Sequence, residues 1–326
     1  MLLKFPVSRR ERLKRIPGLR PPIDAFHRRQ QRLHRRKLAA LSLPSMVAVE
    51  LTNVCNLQCA KCPNKRISRP RGFIDDILFE KILHDIESAG APTEIALSGS
   101  GEPTLHPHLV DYVKAARNIP NVGVIGFATN GVELNPDLSE KLLDAGLTRL
   151  KASLDTDDPF MYLKLNGRDT YAQVAANFIS FCRSNQARGN RCRVTLKATL
   201  YKTDFSLAMR LKQQWSPHVD EVRITPVHNW GGEKKIRLPS EGSARRPCDF
   251  LWRQIQILWN GQITLCCMDS MEGHFQMGDA HDKNLSDYWL HDPGLQDIRG
   301  QHEALGISAI PVCNNCDIYA YHDVNL

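Results

Sequence analysis

From residue 46 onward, short apolar segments alternate with segments in which apolar residues recur every three or four positions. The first pattern is typical of strands and the second of amphipathic helices, so the chain predicts repeated β-α units around a parallel sheet. The predicted strands cover residues 47–51, 94–97, 122–128, 149–153, 193–200 and 221–225. The predicted helices lie near residues 77–89, 108–118, 137–145, 170–184 and 204–215.

Six strands with five intervening helices indicate an α/β fold, a partial (β/α)6 barrel of TIM-like form over residues 46–230. Gly, Ser and Pro are frequent in the next segment, and residues 231–247 are therefore predicted to be a linker. A smaller domain over residues 248–326 is predicted to hold a β-hairpin and a helix. The hairpin strands cover residues 254–258 and 262–266, with the turn at Asn260-Gly261.

Residues 1–45 form a basic arm ahead of the barrel. The net charge of the whole chain is +8, but residues 1–40 alone carry +11, so the rest of the chain carries −3. The run HRRQQRLHRRK predicts a basic helix, which either packs on the body through Phe26, Leu33 and Leu38 or binds nucleic acid or an acidic membrane surface. The packed helix is the simpler interpretation, and the −3 of the body disfavours nucleic-acid binding.

The composition adds constraints on class and location. With 42% hydrophobic and 24% charged residues among 326, the chain is a globular protein rather than a disordered or fibrous one. It contains no apolar run approaching the roughly 20 residues of a membrane helix, and its N-terminal apolar residues are too few for a secretory signal. We therefore expect a cytoplasmic protein, in which ten cysteines indicate metal binding rather than disulfides.

Three of the cysteines, Cys55, Cys59 and Cys62, form a CxxxCxxC motif in the loop after the first predicted strand. Three thiolates can hold three irons of a 4Fe-4S cluster and leave the fourth iron open. Zinc is the alternative, but zinc sites use CxxC pairs with a fourth Cys or His nearby, and none follows closely. Ligand type and spacing thus favour an iron-sulfur cluster with one open iron.

This motif resembles that of the radical S-adenosylmethionine (SAM) superfamily, and three later segments share the resemblance. LSGSGEP, residues 97–103, resembles the family's GGEP segment, with Ser100 in place of the first glycine. ATNG, residues 128–131, and KASLD, residues 151–155, resemble its TNG and SLD segments. Lys61 departs from the family, in which the residue before the third cysteine is often aromatic. Four such segments in order at strand ends are far harder to obtain by chance than one of them.

The resemblance implies a mechanism and a set of cofactor contacts. SAM would bind the open iron, and its reductive cleavage would give a 5'-deoxyadenosyl radical that removes a hydrogen atom from a substrate carbon. Glu102, with the backbone of its loop, would hold the SAM amino group. A flavodoxin- or ferredoxin-type protein is the expected electron donor. The expected cofactor-binding residues are Gly99, Gly101, Glu102, Pro103, Thr129, Asn130, Ser153 and Asp155.

A second group of cysteines lies in the smaller domain: Cys248, Cys266, Cys313 and Cys316. Their spacing alone suits a 4Fe-4S cluster and a tetrahedral zinc site equally. The segments around them resemble the C-terminal SPASM extension of radical SAM enzymes in its shortened "twitch" form. That resemblance implies one auxiliary 4Fe-4S cluster held by these four residues.

Cys267 directly follows one of these predicted ligands. Because neighbouring residues of a strand point to opposite faces, Cys266 and Cys267 are not expected to face the same cluster. Cys267 could replace Cys266 as ligand, donate a hydrogen atom near the pocket, or simply be buried. Burial is the default, as for Cys182 and Cys192, since free cysteine is among the most buried residue types.

The resemblance offers two substrate classes, peptides and hydroxyl-bearing small molecules such as sugars and aminocyclitols. Peptide-modifying members often carry an N-terminal leader-recognition domain, for which the arm is too short and too basic, so we expect a small molecule. Dehydrogenation is favoured over epimerisation, because it uses the auxiliary cluster whereas epimerisation needs a hydrogen donor on the other face. A nucleic-acid-binding iron-sulfur protein and a zinc-bound interaction module are the alternatives from other classes.

Overall fold

A computed structural model of the chain describes residues 20–200, 204–232, 247–305 and 310–318. Six parallel strands form its centre: β1 (Met46–Val49), β2 (Thr93–Ala96), β3 (Val122–Thr129), β4 (Arg149–Ser153), β5 (Arg193–Leu200) and β6 (Glu221–Pro226). Three further strands are β7 (Gln254–Ile257), β8 (Gln262–Thr264) and β9 (Gly278–Asp279). The strand order is β6-β5-β4-β3-β2-β1-β7-β8-β9, an open sheet, so the predicted partial barrel is confirmed.

Helices accompany the strands along the chain. The described helices are α1 (Arg20–Ala39), α2 (Asp76–Ala89), α3 (Leu109–Arg117), α4 (Pro136–Asp144), α5 (Pro159–Asn166), α6 (Tyr171–Ala187), α7 (Phe205–Trp215), α8 (Leu285–His291), α9 (Pro293–Leu305) and α10 (Pro311–Asn314). Several begin at a short polar side chain that accepts a backbone N–H of the first turn, such as Asp75 at α2 and Asn135 at α4. Their apolar faces pack on the sheet, with Phe79, Phe178 and Trp215 fully buried in the core.

Helix α5 is not among the five helices predicted from periodicity. It begins at Asp158, whose carboxylate accepts the backbone N–H of Met161, and continues through Pro159 in its first turn. It ends at Gly167, where the backbone φ of 77° is left-handed and favours glycine. These start and stop signals are present in the sequence, but a helix of eight residues is too short to show an apolar stripe.

The predicted hairpin is present, and it extends the barrel sheet. Strand β7 pairs in parallel with β1, while β8 pairs in antiparallel fashion with β7 and with β9. Gly261 in the turn has a φ of 86°, and a Cβ there would lie 2.4 Å from the His281 ring. Glycine is therefore required at this position for both conformation and space.

The basic helix α1 packs on the C-terminal part of the chain, but not through all the residues expected. Leu38 contacts a small apolar cluster formed by Leu251, Trp252, Leu265, Ile298, Ile310 and Cys313. Phe26 and Leu33 are 57% and 43% exposed. The most buried side chain of this helix face is that of Arg35, with its guanidinium 5.0 Å from the Trp252 ring centroid and an ion pair to Glu303.

Residues 1–19 of the arm and residues 233–246 of the predicted linker lie outside the described residues. In the part of the chain that is described, no helix combines the length and the apolar character that crossing a bilayer requires.

Candidate functional site

The loop after β1 carries the first three cysteines. The backbone N–H of Cys62 donates to the Cys59 carbonyl at 3.1 Å, and the N–H of Asn64 points at the Cys62 sulfur at 3.4 Å. Burial raises the pKa of Cys55 to about 11 and that of Cys59 to about 12, and the charges of the neighbouring thiols act in the same direction. The structure therefore brings the three thiols together, in surroundings where metal binding would release their protons.

The helix that periodicity missed holds this loop in place. Asn166 at the end of α5 accepts the backbone N–H of Gln58 at 3.2 Å, and the Ala60 N–H donates to the Leu165 carbonyl at 2.7 Å. The Asn166 side chain also lies 3.1 Å from the Cys59 sulfur. Asn166 is thus a site residue that sequence reasoning did not find, although the Asn-Gly pair at residues 166–167 marks the end of its helix.

The two predicted glycines of the loop after β2 are explained by close packing. A Cβ on Gly101 would lie 2.4 Å and 2.5 Å from the carbonyl oxygens of Thr52 and Val54 in the cysteine loop. A Cβ on Gly99 would lie 2.4 Å from the Glu50 side chain. Pro103 is buried at the start of a short 3-10 helix. These residues bring the loop against the cysteine loop, and their contact with SAM stays a prediction.

Glu102 joins the second and third predicted motifs. Its Oε1 accepts the hydroxyls of Thr104 and Thr129 at 2.7 Å each, and its Oε2 accepts the Asn130 backbone N–H at 2.8 Å. Burial raises the pKa of this carboxyl, while the hydrogen bonds that it accepts act in the opposite direction. A carboxylate oxygen has two acceptor positions, so among the described residues Oε2 keeps one for a further donor such as an ammonium group.

Asn130 connects the end of β3 to the cysteine loop. Its side-chain amide donates to Asn56 at 2.8 Å and lies 3.9 Å from the Cys55 sulfur, while its oxygen accepts the Val132 N–H at 3.0 Å. Thr129 and Asn130 are therefore both committed to holding the loops around Glu102 and Cys55. Their predicted contacts with the cofactor remain predictions.

At the end of β4, Asp155 has a partner that the sequence did not indicate. Its carboxylate forms an ion pair with Lys61 of the cysteine loop and accepts the Thr199 backbone N–H at 2.8 Å. Lys61, which departs from the family pattern, thereby ties the cysteine loop to the fourth strand. Ser153 lies on the inner face of β4, half-buried and opposite Lys197 of β5.

The four auxiliary cysteines come from three separate segments that converge. Burial raises the pKa of Cys248, Cys266 and Cys313, and the charge of Cys316 raises each of them further. That mutual influence requires the four thiols to be near one another. Asn229, after β6, and Asp317, after the last cysteine, exchange hydrogen bonds of 3.0 and 3.3 Å, so the CNNC segment is fastened to the barrel.

Cys267 lies within the electrostatic influence of two lysines on the inner face of the sheet. Burial raises its pKa to about 11, and the nearby charges of Lys197 and Lys151 act in the opposite direction. The thiol is half-buried, whereas Cys182 and Cys192 are buried as expected. Burial as the role of Cys267 therefore stays a prediction, beside the alternatives of ligand and hydrogen donor.

The inner face of the sheet is polar over β4, β5 and β6, whereas β1 to β3 contribute mainly small or apolar residues to it. Residues paired across neighbouring strands share a face, and alternate residues of each strand therefore line the inside. From β2 to β8 the inward positions include Glu94, Arg149, Lys151, Ser153, Thr195, Lys197, Thr199, Glu221, Arg223, Thr225, Gln254, Gln256 and Thr264. A lining of this kind can hydrogen-bond a polar ligand far better than an apolar one.

A buried ion pair that the sequence did not reveal connects the two groups of cysteines. Arg69, in the cysteine loop, donates to Glu50 at 2.6 Å and to the hydroxyl of Ser100 at 3.1 Å. It also donates to the carbonyls of Ser270 at 2.8 Å and Met271 at 2.9 Å, just beyond Cys267. Ser100 thus has a role of its own where the family has a glycine, since its hydroxyl also donates to Ser270.

Both groups of cysteines suit iron-sulfur clusters. Among the described residues, no three Cys, His, Asp or Glu side chains surround a position for a single metal ion. A zinc ion draws its ligands to within about 2.0–2.3 Å of one point, whereas a 4Fe-4S cluster binds each thiolate to a different iron. The donor sets are three and four thiols, and such soft ligands are the ones that these clusters use.

Comparison with known proteins agrees with these features. Residues 49–192 match the Radical SAM superfamily, and residues 248–317 match the SPASM family of iron-sulfur cluster-binding domains. A GTP 3',8-cyclase of Chlorobaculum tepidum is 31% identical over 129 residues, which are 40% of this chain and 38% of that protein. The match thus spans about two fifths of that relative.

Two solved structures share the fold. BtrN, in complex with AdoMet and 2-DOIA, has a TM-score of 0.58 and 19% identity, with 84% of this chain and 93% of BtrN covered. SuiB of Streptococcus suis, bound to the precursor peptide SuiA, has a TM-score of 0.63 and 16% identity, with 87% and 72% covered. The chain therefore belongs to the radical SAM superfamily and carries a C-terminal SPASM iron-sulfur cluster-binding domain.

Proposed function

We propose that this radical SAM enzyme removes a hydrogen atom from a hydroxyl-bearing carbon of a small molecule bound inside the open barrel. The observation that carries the proposal is the polar inner face of β4, β5 and β6. Cys55, Cys59 and Cys62 would hold the cluster that binds SAM, and Cys248, Cys266, Cys313 and Cys316 would hold an auxiliary cluster. When bound, the first cluster and SAM supply a 5'-deoxyadenosyl radical, with the electron delivered by a flavodoxin- or ferredoxin-type protein.

The residues around the first group would bind and orient SAM. The free acceptor position on Glu102 Oε2 suits the SAM amino group, because a buried carboxylate binds an ammonium strongly. Lys61 and Asp155 close the gap between the cysteine loop and β4, which restricts the entry of water and oxygen. Ser153 presents a hydroxyl on the inner face near this pair.

The related proteins support a small polar substrate without identifying it. The cyclase is named for GTP, and BtrN was solved with 2-DOIA, while SuiB was solved with a precursor peptide. Small molecules and peptides are therefore both represented. The polar side chains of β4, β5 and β6 can hydrogen-bond a hydroxylated molecule, which supports the small-molecule class.

Two outcomes follow from the loss of one hydrogen atom. Dehydrogenation requires that one further electron and one proton leave the same carbon and its hydroxyl, which produces a carbonyl group. Cys266, a proposed ligand of the auxiliary cluster, directly precedes Cys267. The auxiliary cluster would therefore lie at the wall of the pocket, where it could accept the electron. This proximity supports dehydrogenation.

Epimerisation is the second candidate, and a specific observation favours it. It requires that a new hydrogen atom reach the carbon from the opposite face, and a thiol S–H can supply one. The charges of Lys151 and Lys197 on the inner face act on the Cys267 thiol, which places this thiol near the proposed substrate position. That proximity supports Cys267 as the hydrogen donor.

Replacement of Cys267 by alanine tests the two outcomes, with Cys182→Ala as a matched control at a buried thiol. The reconstituted enzymes are incubated anaerobically with SAM, dithionite and a panel of polyols, aminocyclitols and sugar phosphates in D2O. We expect Cys267→Ala to keep carbonyl formation if the enzyme is a dehydrogenase.

Complete loss of turnover in Cys267→Ala, with both clusters present and 5'-deoxyadenosine still formed, would establish the epimerase instead. In that case the wild-type product gains one deuterium from solvent. Failure of the wild-type enzyme to form any 5'-deoxyadenosine would refute the proposed radical chemistry as a whole.

A further inference from the structure

Two lysines lie side by side on the inner face of the barrel. Lys151 of β4 is paired with Thr195 of β5, and Lys197 lies two residues further along β5, on the same face and opposite Ser153. Diagonal neighbours on one face of paired strands lie within reach of long side chains, and the charge of Lys151 lowers the pKa of Lys197. The two lysines form a positively charged position in the middle of the polar lining.

The carboxylates around these lysines are committed to other cations. Glu94 forms a bidentate pair with Arg149 at 2.6 and 3.2 Å. Glu221 does the same with Arg223 at 2.8 and 3.1 Å. Asp155, the nearest carboxylate to Lys197 toward the cysteine loop, is paired with Lys61. Within the described ranges, neither lysine has a hydrogen bond or an ion pair.

Two neighbouring ammonium groups without a counter-ion repel each other, and a bound anion would relieve that repulsion. Lys151 is exposed and Lys197 is half-buried. Burial lowers the pKa of Lys197, and the charges of neighbouring cations, Lys151 among them, lower it further. An ammonium group offers three donors, so two lysines can bind several oxygens of one anion.

We propose that Lys151 and Lys197 bind an anionic group, a phosphate or a carboxylate, of the substrate. The inference rests on the function proposed above and narrows its substrate class to hydroxyl-bearing small molecules that also carry such a group. Cys267 lies beside both lysines, so the anion fixes the substrate next to the thiol and the auxiliary cysteines. The lysines are positioning residues, since they hold the substrate at a distance from the reacting carbon.

Isothermal titration calorimetry on the SAM-loaded, reconstituted enzyme tests the proposal with two probes, inorganic phosphate and malonate. We expect saturable binding of one probe per chain at low ionic strength. Lys151→Met and Lys197→Met should each weaken that binding roughly tenfold or more, because each removes a charge-assisted hydrogen bond. Lys114→Met, at an exposed position of α3, is the matched control and should bind as the wild type does.

The probes distinguish the two sources of anion. Binding of phosphate but not malonate indicates a phosphorylated substrate, and the reverse indicates a carboxylated one. Saturable binding of neither probe, or binding that both lysine variants retain, would overturn the proposal. Weakened SAM binding in the lysine variants would also overturn it, since the lysines would then serve the SAM carboxylate.

Measurements of stability and of 5'-deoxyadenosine formation distinguish a failure of this inference from a failure of the proposed function. The unliganded Met variants should be at least as stable as the wild type, because they lose a repulsive pair, and phosphate or malonate should raise Tm in the wild type only. Dithionite-driven 5'-deoxyadenosine formation without substrate should persist in both variants. Its absence in the wild type would refute the radical chemistry, whereas the binding data alone decide the anion site.

Discussion

Arg69→Met is the sharpest test of how the two groups of cysteines are held together. The Glu50 side chain is fully buried and that of Arg69 is 10% exposed, with 2.6 Å between Arg69 Nη2 and Glu50 Oε1. The substitution leaves the Glu50 carboxylate without its cation and leaves the Ser270 and Met271 carbonyls without their shared donor. Breaking a buried pair from one side costs about 3–5 kcal/mol.

We therefore expect Arg69→Met to lower the unfolding free energy by about 3–5 kcal/mol. The measurement is urea denaturation of the cluster-free protein, followed by tryptophan fluorescence. The control is Arg210→Met, which removes a pair between Arg210, 54% exposed, and Asp157. A surface pair of that kind contributes at most about 1 kcal/mol.

The double variant Glu50→Gln/Arg69→Met isolates the cause of the loss. If the unpaired charge of Glu50 causes most of the loss, its removal should recover about half of the lost stability. The amide oxygen introduced by Glu50→Gln would still accept the Ser100 N–H, as the Glu50 carboxylate does. A loss in Arg69→Met no larger than in Arg210→Met would refute the reasoning. So would a double variant no more stable than the single one.

Three further predictions concern the cysteines and the second motif. Cys59→Ala should abolish 5'-deoxyadenosine formation and remove about half of the bound iron, whereas Cys182→Ala should change neither. Glu102→Gln should weaken SAM binding at least about tenfold and cost roughly 1–3 kcal/mol of stability, because its new NH2 faces donors such as the Asn130 N–H. SAM binding and unfolding of the reconstituted Glu102→Gln variant measure these two effects. Burial raises the pKa of Cys192 from 9.0 to about 12, so its contribution to stability is present below pH 9 and is lost above it. Relative to Cys192→Ala, the wild type should lose about 1.4 kcal/mol of unfolding free energy for each pH unit above 9, and parallel unfolding curves would contradict this.

The six barrel strands, the hairpin and the cysteine motifs could be predicted because each depends on local signals, whereas the pairing of β7 with β1 could not. Alternating apolar segments mark strands β1 to β6, and the Asn260-Gly261 pair marks a turn whose second residue needs a positive φ. The cysteines of each motif are close in sequence or lie at strand ends. Parallel strands bring their ends to one edge, so the grouping follows from the topology.

The burial of Arg35 in the basic helix has an equally physical cause. The apolar residues Phe26 and Leu33 suggested a packing face, but the partner surface presents Trp252 and Glu303. An arginine satisfies both an aromatic face and a carboxylate, so Arg35 is the buried residue. The choice depends on a surface more than 200 residues away in sequence, which periodicity cannot detect.

The sequence by itself determined the superfamily resemblance, the open barrel and the two sets of thiols, because these depend on residue type and spacing along the chain. Only the tertiary structure decided which charges are paired. The partners of Glu50, Asp155 and Arg149 come from other strands and loops, and Lys151 and Lys197 are left unpaired by that same arrangement. Long-range pairing depends on register and distance, and these exist only once the sheet has formed.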